Sequence, residues 1–158
     1  MTDGSAPARP WRRRAVWALG AVVVVLVAIQ FVPYGWTHSN PPVVADAPWP
    51  DEQSARIARE SCYACHSNET DWPVYSYVAP MSWLVRSDVE SGRDELNFST
   101  WPDDDGELDD SIEQIHEGGM PPAQYTLIHR GAALDDEERQ TLIDALRTME
   151  QQERGGRG

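Results

Sequence analysis

The sequence predicts an all-α fold: a small helical domain preceded by one N-terminal transmembrane helix. Three observations predict it. No alternating strand pattern exceeds four residues, four segments carry helical periodicity with start and stop signals, and one apolar run near the N-terminus is long enough to span a bilayer. A chain of 158 residues holds about one domain plus extensions. Its 13 basic residues, all Arg, face 26 acidic ones, giving a net charge of −13. That balance argues against nucleic-acid binding by a basic face.

The charge divides by position. Residues 1–32 carry four arginines against Asp3, net +3, and the remainder carries nine arginines against 25 acids, net −16. Residues 15–32 are interrupted only by Gly20 and Gln30 and would span about 27 Å as a helix, close to the roughly 30 Å hydrocarbon core. Trp11, Tyr34 and Trp36 flank the run as interfacial aromatics. Four arginines before it, and none after it until Arg56, place residues 1–14 in the cytoplasm. The expectation is a single-pass anchor in the cytoplasmic (inner) membrane, with the acidic domain facing the periplasm or exterior. The alternative is a cleaved signal peptide ending at Ala45-Asp46-Ala47.

Residues 33–50 hold five prolines and few bulky aliphatics, which reads as an extended tether outside any core. Residues 51–158 then form the working domain. A first helix opens at Asp51 and runs to about Ala64, with Ala58, Cys62 and Cys65 on one face. A second starts after Pro80, from Met81 to about Ser91, and Gly92 ends it. A third covers about Asp109 to Glu117, stopped by Gly118-Gly119. A fourth is capped by Asp135 with Glu138 at the capping-box position, followed by the stripe Leu142, Ile143, Leu146 and Met149. Residues 67–79 and 92–108 remain as long loops, which in a compact domain implies a non-protein group at the centre.

The chemistry-bearing motif is Cys62-Tyr63-Ala64-Cys65-His66, the C-x-x-C-H attachment signature of c-type haem. Two thiols one helical turn apart can each add to one haem vinyl group, and the next residue offers an imidazole to the iron from the same side. A thioredoxin-like pair would need a βαβ setting, a zinc site would need four ligands, and an ordinary disulfide remains a third alternative. Candidate sixth ligands are Met81, His116, Met120, His129 and Met149. Met149 belongs to the apolar stripe, Met81 opens a helix beside Trp83, and His116 lies between Glu113 and Glu117. Met120 differs: Gly118-Gly119 allows close backbone approach and Pro121-Pro122 stiffens the other side. Met120 is the favoured ligand and His129 its rival.

Beyond C-x-x-C-H, several groups stand at fixed spacings: Asp71-Trp72-Pro73, Tyr75-Ser76, Ala79-Pro80, Ser82-Trp83-Leu84-Val85, Asp88-Val89, Gly92-Arg93, Leu96-Asn97-Phe98-Ser99 and Trp101. Met120-Pro121-Pro122, Tyr125, His129 and Glu137-Glu138-Arg139 follow. With these the chain resembles the cytochrome-c-like haem-binding domain family of bacterial membrane-anchored or exported monohaem c-type cytochromes. The resemblance implies one covalent haem c in a small helical domain, with His66 and Met120 as axial ligands. The chain departs from the family pattern at Arg130, where proline is usual after the histidine.

Arg86 or Arg93 could pair with a haem propionate, or form surface salt bridges. Asp103-Asp104-Asp105-Gly106-Glu107 with Asp109-Asp110 fails the EF-hand register and reads as a solvated acidic loop or a docking patch for a basic partner. No catalytic nucleophile or acid/base pair is visible, so an electron carrier rather than an enzyme is expected. Its partners would be the membrane and redox proteins of respiratory or peroxidase-type complexes. The rival function is a haem sensor or peroxidase-like protein whose iron keeps an open position.

Overall fold

The computed structural model describes residues 10–101 and 108–156. Seven α-helices occur among them: α1 Pro10–Ile29, α2 Glu52–Ser61, α3 Tyr63–His66, α4 Met81–Glu95, α5 Leu108–His116, α6 Ala123–Ile128 and α7 Asp136–Gly156. Short 3-10 turns occupy Val74–Tyr77 and Arg130–Ala132. The only β pairing among the described residues is an isolated parallel bridge between Ala45 and Thr100. The expected all-helical domain is therefore present.

The caps follow local chemistry. The Asp51 side chain accepts from Ser54 N at 2.8 Å and opens α2. At α7 the capping box is reciprocal: Glu138 N donates to Asp135 Oδ1 at 2.8 Å, and Asp135 N donates to Glu138 Oε2 at 3.1 Å. Two expected helices change shape. The first breaks at Cys62, whose N–H closes α2 on Ala58 O while its carbonyl accepts from Cys65 N and His66 N to start α3. The second runs through Gly92 to Glu95, because Gly92 is a packing residue and not a stop: a Cβ there would meet Cys65 O at 2.8 Å. Short α6 was not expected.

The transmembrane anchor is corrected. Among the described residues no helix is long and apolar enough to cross a membrane. The reason lies within α1, which takes Arg12, Arg13 and Arg14 into its first turns and stops at Ile29. Its uncharged part, residues 15–29, rises about 22 Å, short of the roughly 30 Å required. Phe31 and Val32, counted in the expected span, lie beyond the helix. The single-pass inner-membrane anchor and the outward-facing placement derived from it fall with the span.

Residues 33–50 lie against the helical body. Gln30 bonds the Ala79 peptide from both sides, donating to Ala79 O at 3.0 Å and accepting from Ala79 N at 2.9 Å. His38 and Asn40 bond to Ser76 O and Thr70 O. Ala47 N donates to Phe98 O at 2.8 Å and Trp101 N to Ala45 O at 3.0 Å. Ala47 is buried and Trp49 packs on the core cluster of Ile57, Tyr63, Phe98, Leu142, Ile143 and Leu146. The prolines keep this segment out of helix without keeping it off the core.

Candidate functional site

A cavity of about 440 Å³ opens between α3, α4, α5 and α7. That is within the usual range for small-molecule and cofactor pockets. Its walls include Leu96, Phe98, Ile115, Leu134, Leu142 and Leu146, so the α7 stripe read as plain core also faces this space. Cys62, Cys65 and His66 lie on its wall, as does Met120 from the loop after α5. Four of the five expected site residues thus share one cavity. His129 is not among its lining residues: its Nε2 lies 2.6 Å from Tyr75 Oη, and its ring stacks on Tyr125 with centroids 4.4 Å apart. Tyr125 lines the cavity in its place. Met149 is fully buried in the core, and His116 is exposed on α5.

The three residues of the C-x-x-C-H motif are prepared differently. Both cysteines are free thiols. Burial pushes Cys62 up to about 12, helped by the neighbouring Cys65, and pushes Cys65 up to about 11. Both stay neutral at ordinary pH. His66 Nδ1 lies 3.0 Å from Leu96 O, so a protonated Nδ1 donates there and Nε2 remains free to coordinate. Burial also holds the His66 imidazole below the ordinary histidine range, which favours the neutral form that a metal requires. Among the described residues no group of three or more His, Cys, Asp or Glu could hold a bare metal ion.

Met120 reaches the cavity through the end of α5. Gly118 takes φ of +74°, Gly119 N donates to Gln114 O at 2.8 Å, and Met120 N donates to the same carbonyl at 3.3 Å. The left-handed residue reverses the chain and presents Met120 with 38% exposure. The positive φ by itself accounts for glycine at position 118.

The arginines expected near propionates are engaged elsewhere. Arg93 donates to Ser67 O, Ser39 O, Asn40 Oδ1 and Thr70 Oγ1 at 2.8 to 3.1 Å. It therefore ties residues 39–40 to the loop after α3. Arg86 pairs with Glu90 at 2.7 Å. Among the described residues no arginine lines the cavity, whose charged side chains are Asp88, Glu95 and Asp110. Asp109 and Asp110 sit in the first turn of α5; residues 103–107 lie outside the described residues.

Sequence reasoning missed the Leu96 carbonyl, the Tyr125 wall and the clamp on Tyr63. In that clamp Tyr63 Oη donates to Asp46 Oδ1 at 2.6 Å and accepts from Trp49 Nε1 at 3.0 Å. A backbone acceptor leaves no residue-type signal. The position of Tyr63 inside C-x-x-C-H was the only available hint of the clamp.

An apolar, cofactor-sized space with two unpaired thiols, a half-buried imidazole whose neutral form is favoured and a thioether on its wall fits a haem group. Residues 24–148 match the Haem-binding domain family. The chain belongs to that family. It is a haem-binding domain of cytochrome-like character, as the sequence resemblance implied. It is also 24% identical over 142 residues to the cytochrome c peroxidase Ccp of Escherichia coli (strain K12), a match covering 81% of this chain and 30% of that protein. The chain therefore spans about a third of the length of that relative. No solved structure matches.

Proposed function

We propose that this haem-binding domain carries one covalently attached haem c and passes single electrons to and from redox partner proteins, without turning over a substrate. The observation that carries the reading is the convergence of Cys62, Cys65, His66 and Met120 on one apolar cavity. Each thiol would add across one vinyl group: a sulfur–carbon bond forms and the thiol hydrogen ends on the adjacent carbon, so no oxidant is consumed. His66 would supply the proximal nitrogen and Met120 the distal thioether. Haem supplies the one-electron couple, and the protein holds it, excludes water and tunes its potential. The net charge of −13 favours a basic partner surface, through steering more than through contact energy.

Mass spectrometry of the purified chain tests attachment, with an increase of one haem expected and the bare polypeptide mass overturning it. Met120→Ala tests the ligand set. It should convert six-coordinate low-spin iron to a high-spin form, whereas an unchanged spectrum would assign the sixth position elsewhere.

One observation favours a second reading, the similarity to a protein named cytochrome c peroxidase. In that case the wild-type iron is high-spin and the chain reduces peroxide at the expense of an electron donor. Peroxide consumption by the haem-loaded chain separates the two readings.

A further inference from the structure

Behind His66 lies a buried polar network whose role goes beyond packing, and the inference drawn from it rests on the His66-ligated haem reading above. The imidazole is oriented by backbone: His66 Nδ1 lies 3.0 Å from Leu96 O, and Phe98 N donates to His66 O at 2.9 Å. Yet residues 96–99 belong to no helix or strand, since α4 ends at Glu95. Helix or strand hydrogen bonding therefore does not fix the direction of the Leu96 carbonyl. Single backbone bonds flank it, from Leu96 N to Gly92 O at 3.0 Å and from Ala47 N to Phe98 O at 2.8 Å, and side chains hold the turn between them. Asn97 Oδ1 accepts from Ser99 N at 3.0 Å, and Asn97 Nδ2 donates to Asn68 Oδ1 at 3.0 Å. Asn68 N in turn donates to Ser99 Oγ at 2.9 Å, and Asn68 Nδ2 donates to Pro42 O at 3.0 Å.

All three side chains are buried, with exposures of 8% for Asn97, 5% for Asn68 and 0% for Ser99. Buried amides cost free energy unless fully bonded, and an apolar side chain of similar volume would fill the same space at less risk. What an amide adds is direction, because its donor and acceptor point in fixed, different directions within one rigid plane. This one locks the turn at 97–99 onto residue 68, two positions after the imidazole it serves.

We propose that Asn97, acting through Asn68 and Ser99, is a positioning residue that holds the Leu96 carbonyl on His66 Nδ1 and thereby sets the reduction potential. A ring N–H that donates to a well-aligned carbonyl makes the other nitrogen a stronger base, and a stronger donor favours ferric over ferrous iron. Loosening the carbonyl weakens the imidazole as a donor and raises the potential.

The test uses the full, haem-loaded chain with Asn97→Ala and Asn68→Ala. Asn97→Ala is expected to shift the redox equilibrium three- to tenfold toward the reduced form, about 30 to 59 mV. It should also move the His66 ring N–H proton resonance toward a weaker hydrogen bond. Asn68→Ala leaves the Asn97–Ser99 bond in place and should give a smaller shift of the same sign; it decides the question if Asn97→Ala does not load haem. Asp135→Ala, which weakens the remote cap of α7, should lower stability while leaving potential and resonance unchanged. Wild-type potential and resonance in both asparagine variants, even with reduced stability, would make Asn97 a packing residue only and overturn the inference alone. A wild-type iron not bound by His66 would overturn the parent reading together with it.

Discussion

At the residue scale, single atoms decide how the site is presented. Gly118 stands at φ of +74° with open space where a Cβ would point, so Gly118→Ala meets only backbone strain. Its expected cost is about 1–2 kcal/mol, read from urea unfolding, with partial loss of low-spin haem because the turn presents Met120. Tyr63→Phe removes a hydroxyl that serves two partners, and leaves Asp46 and Trp49 Nε1 short of one bond each. About 1–3 kcal/mol of destabilisation is expected, with little change in the haem spectrum. The C-x-x-C-H triplet was legible because its residue types and spacing lie within a single short stretch of chain. The Leu96 carbonyl and the Gly118 turn were not, since a main-chain oxygen can belong to any residue and glycine pairs serve many purposes.

At the element scale, the helix starts were read well because caps act locally. The α2 cap also carries a pH dependence. The Ser54 N–H it accepts, reinforced by the Ser54 hydroxyl and opposed by burial, holds the Asp51 carboxyl below the usual carboxylate range. A lowered folded value means the cap contributes stability above about pH 4 and loses it as pH falls through that lower value. Asp51→Ala should therefore flatten the acid limb of stability against pH, and an identical acid limb would show that other groups set it. Helix ends were read less well. Gly92 has the composition of a stop, yet α4 continues through it because Cys65 backbone sits where a side chain would be. Close approach of two helices is a tertiary fact that sequence expresses with the same glycine as a terminus.

At the scale of the whole molecule, the cavity gathers charge that no single element reveals. Asp88 lies on its wall, and burial raises its carboxyl above the ordinary aspartate range. A carboxylate facing haem favours the more positive ferric iron, so Asp88→Asn should raise the reduction potential of the loaded chain. The difference from wild type should vanish as pH falls and the raised carboxyl protonates. A potential indifferent to Asp88 at neutral pH would mean that solvent screens it. The chain-level misreading belongs to the same scale: an 18-residue apolar run was counted as one span, whereas α1 ends at Ile29 and includes three arginines.

Sequence by itself determined the all-helical class, the α7 capping box and the C-x-x-C-H cluster that lies on the cavity wall, since each depends on residues within one or two turns of one another. Only the tertiary structure decided that Met120 rather than His129 shares the cavity, that residues 33–50 pack into the domain and that Arg93 is committed to a loop. Those outcomes join positions far apart along the chain through hydrogen bonds to backbone and through burial. Neither leaves a periodic or compositional trace in the sequence.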